Sequence, residues 1–120
     1  MTESNMKPMD NLSEMEELKV TMDEALEAIE LRDKFIKLAN NPLFNEVIGK
    51  RYIEEESVRC VALLGDDNID DEVKAKTQKM ILGIAYLQNY FRKIQMDGNE
   101  AENMLDAYKE EMNNNASEVN

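Results

Sequence analysis

The sequence predicts an all-α protein with three helices in an antiparallel arrangement, a long C-terminal helix and disordered termini. Three long stretches repeat apolar residues at intervals of three and four, the spacing of one face of an α-helix. Polar breaks at residues 40–42 and 65–70 separate them. No stretch alternates apolar and polar residues as a strand would. We expect one helical domain over residues 13–112, a flexible arm at 1–12 and a disordered tail at 113–120.

The first predicted helix covers residues 13–39. Ser13 and Glu16 have the spacing of a capping box, in which each side chain bonds a backbone N–H at the helix start. Arg32 stands where the repeat calls for an apolar side chain, so the seam is not a regular zipper. Pro42 disfavours helical geometry at the residue before it and ends the helix. The stripe consists of Met15, Leu18, Met22, Ala25, Ile29, Ile36 and Ala39, with Leu26 and Phe35 widening it.

The second predicted helix covers residues 42–64. Asn41 suits the N-cap because its side chain can accept hydrogen bonds from the first turn, and Pro42 fits the first helical position. Gly49 weakens the helix interior, so we expect a bend near it. Residues 58–64 are among the most apolar in the chain, and we expect them to be its most buried segment.

The third predicted helix is long and covers residues 70–112. An acidic loop at residues 66–71 precedes it and is expected to supply its N-terminal cap. The helix is either one continuous rod or two collinear pieces, and Gly98, within an Asp-Gly-Asn sequence, is the expected kink or break. One three-four register holds throughout: Val73, Thr77, Met80, Ile84, Leu87, Phe91, Ile94, Gly98, Ala101, Leu105, Tyr108 and Met112.

The composition argues against an enzyme. The chain has no histidine and one cysteine, so it lacks the commonest general base and can form neither a Cys–His pair nor a cysteine-rich zinc site. Its four glycines are scattered singly rather than gathered in a phosphate-binding loop. We therefore expect no catalytic residue, no cofactor and no metal. Cys60 is expected to be an inert core residue, and the absence of a disulfide framework favours the cytoplasm.

The acidic loop invites comparison with a calcium-binding EF-hand. Asp66, Asn68 and Asp70 match its first three ligand positions. However, Asp71 stands where glycine is required, and Thr77 stands where the closing glutamate is required. We therefore interpret the loop as a solvated helix cap.

Charge is distributed unevenly along the chain, whose formal net charge is −12. Residues 1–30 carry a net charge of −7, whereas residues 73–96 carry +5. The overall acidity disfavours nucleic acid, whose phosphates repel a negative surface. We expect a protein partner or a homo-oligomer, with no nucleic acid, no membrane and no small-molecule substrate.

Several side chains of the third helix could form a contact patch. Tyr86, Tyr90 and Lys93 follow an i, i+4, i+7 spacing and share a face, and Arg92 lies beside them. Tyrosine and arginine are favoured at protein interfaces. The alternative is that these tyrosines only widen the core stripe. The predicted contact residues are Tyr86, Tyr90, Arg92, Lys93 and Tyr108.

The stretch NPLFNEVIGKRYIEEESVRCVALL, at residues 41–64, resembles a pattern found in small acidic all-helical proteins of tailed bacteriophages. The resembling features are Asn-Pro, Phe44, Val47-Ile48, Tyr52-Ile53-Glu54-Glu55, Arg59 and the closing Val-x-Leu-Leu. This resemblance implies a virion assembly or accessory factor, located in the host cytoplasm or the virion.

Two functional hypotheses remain. The first is a non-enzymatic helical protein–protein interaction module, because two long apolar stripes and one short helix leave more apolar face than a monomer readily buries. The resemblance assigns this module to bacteriophage virion assembly. The alternative is an acidic inhibitor that imitates the phosphates of DNA to block a host enzyme, as the net charge of −12 suggests. The basic stretch at 73–96 argues against it by interrupting the acidic surface.

Overall fold

A computed structural model of the chain describes the backbone of residues 3–119 and the side chains of residues 21–114. No β-strand occurs within residues 3–119, so the all-α prediction is confirmed there. The elements in order are α1 (Glu3–Ala39), α2 (Pro42–Phe44), a π-helical segment (Asn45–Glu55), α3 (Glu56–Leu64) and α4 (Asp71–Val119).

Both predicted helix starts after the polar breaks are confirmed. Asn41 caps α2: its Oδ1 accepts hydrogen bonds from the backbone N–H of Leu43 at 2.8 Å and of Phe44 at 3.4 Å. Asp70 caps α4, where its Oδ1 accepts from the backbone N–H of Val73 at 2.8 Å. Short polar side chains at these positions satisfy donors that the first helical turn leaves unpaired.

The outer ends of the helices differ from the prediction. Helix α1 begins at Glu3, so residues 3–12 of the predicted flexible arm are helical, and Ser13 lies inside the helix rather than at its cap. Helix α4 continues to Val119, well into the predicted disordered tail. Lengthening an existing helix adds one hydrogen bond per residue and is far cheaper than starting one, so a helix can extend past a capping sequence. Residues 1, 2 and 120 lie outside the described residues.

The predicted irregularity at Gly49 takes the form of a change of helix type. Gly49 lies in the π-helical segment, which joins α2 and α3 without a gap. A π-helix pairs residues five apart, which gives it a wider turn than an α-helix. None of the side chains of Asn45–Glu55 is fully buried.

The chain divides into two compact units, one formed by residues 1–32 and 96–120 and the other by residues 33–95. Helices α1 and α4 contribute to both. The core of the first unit is made by Ala25, Ala101 and Leu105. The partly buried side chains packed against this core are those of Met22, Ala28, Ile29 and Met104.

A buried arginine fills the position that interrupts the apolar repeat of α1. Arg32 Nη1 donates to Asn99 Oδ1 at 2.9 Å and to Glu102 Oε2 at 2.5 Å. A Cβ atom on Gly98 would lie 2.7 Å from Arg32 Cδ and 2.9 Å from its Cγ, distances that real Cβ contacts do not show. The expected break at Gly98 does not occur, since α4 continues through it. This glycine instead leaves room for the arginine.

The second unit has its own core. Phe91 of α4 packs against Phe35 of α1 and Phe44 of α2, with ring centroids 4.8 Å and 5.9 Å apart. Ile84 and Ile94 are buried on the same helix. Cys60 is fully buried, which confirms its predicted place in the core.

Residues 58–64, predicted to be the most buried segment, are buried on one side only. Val58 is 70% exposed and Val61 is 62% exposed, whereas Cys60 between them is fully buried. Apolar residues surround the whole circumference of α3, yet a helix packed against one layer has only one face covered. The prediction was therefore wrong for the outer face of α3.

Candidate functional site

An exposed apolar feature with charged neighbours lies on α4 in the second unit. Leu82, Tyr86 and Tyr90 are four residues apart and 51%, 67% and 53% exposed. Residues at this spacing share one face of a helix. Ile84, on the other side of α4, is buried. The helix thus turns an apolar face inward and an aromatic face outward.

Lysines extend this outward face at both ends. Lys79 and Lys93 are exposed and keep the same three-four spacing, Lys79 before Leu82 and Lys93 after Tyr90. We call Lys79, Leu82, Tyr86, Tyr90 and Lys93 the tyrosine face. Residues 73–96 contain no aspartate or glutamate, although the chain has 26 of them. The face is therefore locally basic on an acidic protein.

Phe91 fixes the orientation of the tyrosine face. Phe91 directly follows Tyr90, and their ring centroids lie 6.2 Å apart. Because Phe91 packs against Phe35 and Phe44, rotation of α4 about its axis would break two aromatic contacts. These contacts hold Tyr86 and Tyr90 toward solvent.

The structure brings together four of the five predicted contact residues. Tyr86, Tyr90 and Lys93 lie on the tyrosine face, and Arg92 is exposed at its edge, where its Nη1 donates to Asn89 Oδ1 at 3.4 Å. Tyr108 belongs to the other compact unit and is half-buried there, so we describe the face without it.

Leu82 was absent from the predicted contact residues although the sequence carries a signal for it. It precedes Tyr86 by four residues and falls outside the buried register that contains Ile84. Lys79 stands a further three residues back. Extending the Tyr86–Tyr90 spacing toward the N-terminus would have found both residues.

A second exposed apolar area lies on the outer face of α3. A shallow, open depression there is lined by Ser57, Val58, Val61 and Ala62. Their spacing places them on one side of the helix, opposite the buried Cys60. These side chains offer apolar area without hydrogen-bonding groups beyond one hydroxyl. This patch is therefore less able than the tyrosine face to select one partner by charge.

An ion pair borders the α3 patch. Arg59 Nε donates to Glu56 Oε1 at 3.0 Å, and its Nη2 contacts the same oxygen. This hydrogen bond holds the pKa of the Glu56 carboxyl below its ordinary value, and the same pairing raises the pKa of Arg59. The pair lies within one helix, three residues apart, so it supports the first turn of α3 rather than forming a reactive site.

The acidic loop acts as a set of helix and turn caps in the structure. Asp66 Oδ1 accepts a hydrogen bond from the backbone N–H of Asn68 at 2.9 Å, and Asp70 caps α4. Within the side chains that the structure describes, no group of three or more metal-ligating residues comes together.

The tyrosine face combines exposed aromatic and basic side chains. Tyrosine rings supply apolar area with a polar tip, and lysine stems can cover apolar surface while their charges stay in water. Such a combination is typical of protein contacts. Within the described residues, no helix is both long enough and apolar enough to cross a bilayer. No protein-family model, no curated protein and no solved structure matches the chain.

Proposed function

We propose that this chain is a non-enzymatic helical protein–protein interaction module and that the tyrosine face of α4 is its docking surface. The observation that carries the proposal is the pair Tyr86 and Tyr90, two large aromatic side chains that lie mostly in solvent. Burying such side chains against a partner releases water from apolar surface, and tyrosine often dominates binding energy at interfaces.

The module is an antiparallel three-helix arrangement. Two sets of contacts in the first unit support this direction: Arg32 of α1 lies against Gly98 and bonds Asn99, whereas the earlier residue Ala25 packs with the later residues Ala101 and Leu105. Earlier residues of α1 thus meet later residues of α4, as in helices that run in opposite directions.

The biological setting we propose is bacteriophage virion assembly or an accessory step in it, with the protein in the host cytoplasm or the virion. This step rests on the resemblance of residues 41–64 to helical phage proteins. Val58, within that stretch, is 70% exposed, which fits a protein that acts through contacts.

Site-specific photo-crosslinking tests the docking surface. A photoreactive phenylalanine replaces Tyr86 in one variant and Asp67, in the exposed acidic loop, in a matched variant. We expect discrete protein adducts from position 86 and few from position 67. Equal adducts from both positions, or none from position 86, would contradict the proposal. Adducts with a host nuclease or polymerase from position 67 alone would favour the alternative, an acidic imitation of DNA.

A further inference from the structure

A second exposed face on the chain is complementary in charge to the tyrosine face. Residues 21–31 of α1 contain four acidic residues and no basic one. Asp23, Leu26, Glu27 and Glu30 are all exposed, and Leu26 is 54% exposed. We call these four side chains the acidic face. Their spacing of three and four places them on one side of α1, opposite the buried Ala25.

The two faces match in chemistry. Residues 79–93, which carry the tyrosine face, include lysines around an apolar centre and no carboxylate, whereas residues 23–30, which carry the acidic face, include carboxylates around Leu26 and no cation. Complementary charge steers such faces together and disfavours pairing between two like faces.

The acidic face is about half as long as the tyrosine face. Asp23 and Glu30 are seven residues apart, whereas Lys79 and Lys93 are fourteen apart. At 1.5 Å per residue, these pairs span about 10 Å and about 21 Å along their helices. The acidic face can therefore lie along the part of the tyrosine face near Lys79, with Leu26 against the exposed Leu82 and Tyr86.

We infer that the acidic face of one chain docks on the tyrosine face of a second copy. This inference rests on the proposed function and names the partner of that surface. Nucleic acid is a poorer occupant, because the centre of the face includes the exposed Leu82 as well as tyrosines, and phosphates do not cover an aliphatic side chain. The contact joins two different surfaces, so copies associate head to tail and either close into a ring or extend.

A mixing experiment tests the head-to-tail contact on the full chain. One variant, Tyr86→Ser with Tyr90→Ser, disables the tyrosine face, and another, Leu26→Ser with Glu27→Lys, disables the acidic face. We expect the mass of the wild type in sedimentation velocity to rise with protein concentration. Each variant alone should bind itself at least about tenfold more weakly. Their equimolar mixture should form a heterodimer, since it retains one intact face of each kind.

A matched control removes apolar area elsewhere. Leu43→Ser changes a side chain that is 75% exposed but lies outside both faces, and it should associate as the wild type does. Circular dichroism verifies that every variant keeps its helical content. Salt should weaken the association of the wild type, because it screens attraction between exposed charges.

The inference would be overturned if the wild type stayed monomeric at all concentrations or if the two variants formed no heterodimer when mixed. It would also be overturned if Leu43→Ser lost association as much as the face variants do. If the wild type is monomeric but position 86 still crosslinks to another protein, this inference is contradicted while the proposed function stands. The inference would also be overturned if the wild type bound single-stranded RNA without associating with itself and the tyrosine variant lost that binding.

Discussion

Gly98 has a packing role that its sequence neighbours conceal. Asp-Gly-Asn normally signals a turn, but here the missing side chain admits Arg32, whose Nη1 reaches Asn99 and Glu102. The sequence suggested both peculiarities separately, as an arginine in an apolar stripe and a glycine in a helix. It could not pair them, because they are distant in the chain and only packing joins them.

Replacing Gly98 with alanine should therefore destabilise the protein. Alanine normally favours a helix over glycine by about 1 kcal/mol. Its Cβ would, however, overlap the Arg32 side chain, and such overpacking costs about 1–3 kcal/mol. We expect the free energy of unfolding to fall by up to about 2 kcal/mol, measured by urea denaturation with circular dichroism.

Gly83→Ala is the matched control on the same helix. A Cβ there would meet only Tyr52 Oη at 3.9 Å, an ordinary contact. We expect this change to raise the free energy of unfolding by about 0.5–1 kcal/mol through helix propensity alone. The packing role of Gly98 would be refuted if both substitutions stabilised the protein equally.

The Glu56–Arg59 pair predicts a small dependence of stability on pH. Its hydrogen bond lowers the pKa of Glu56 in the folded chain. The pair's contribution to the free energy of unfolding is thus fully present above the pKa of Glu56 in the unfolded chain, near 4.5. It is lost as the pH falls through the lower pKa of Glu56 in the folded chain. Carboxyl NMR titration should find the pKa of Glu56 below 4.5 in the wild type and close to it in Arg59→Gln. An unchanged titration in the variant would rule out this pairing in solution.

At the scale of elements, the pattern of apolar residues predicted the inward faces better than the outward ones. Thr77, Ile84, Ile94, Ala101 and Leu105 of the α4 register are buried, as the spacing predicts. The prediction was wrong for other members of the stripes, which are exposed, among them Val73, Met80 and Met112 of α4 and Leu26 of α1. Val58 and Val61 of α3 are exposed, which the sequence did not predict. An apolar run does not show how many sides of its helix are covered by neighbouring elements. The period of the apolar residues identifies one buried face of a helix. Whether its other faces are also covered depends on how many elements surround the helix.

The π-helical segment should be less protected from hydrogen exchange than the part of α4 in the second unit. It has no fully buried side chain, and its i→i+5 bonds are rarely sustained over eleven residues. Backbone amides of residues 45–55 should exchange with deuterium at least about tenfold faster than those of residues 84–94. Hydrogen-exchange mass spectrometry or NMR measures both in one sample. Equal protection of the two ranges would show that the segment is as stable as α4.

For the whole molecule, the distribution of charge carried more functional information than its total. The net charge of −12 suggests an acidic surface, yet the tyrosine face lies in a stretch without carboxylates. The sequence predicted Tyr86, Tyr90, Arg92 and Lys93 as one patch. It did not predict that the rings lie in solvent, because a wider core would have the same spacing. Only the exposure of the two tyrosines and the burial of Ile84 on the other side distinguish the alternatives.

The net charge of −12 predicts how salt and calcium ions affect the melting temperature. A chain with 26 acidic and 14 basic residues repels itself at neutral pH, so sodium chloride should raise its melting temperature by screening that repulsion. Calcium at equal ionic strength should raise it by no more than about the same few degrees, because Asp66 and Asp70 already accept backbone hydrogen bonds and do not converge on one point. Thermal melts in matched salts measure both shifts. An extra shift that saturates at low calcium concentration and disappears in Asp66→Asn would instead establish a binding site in the acidic loop.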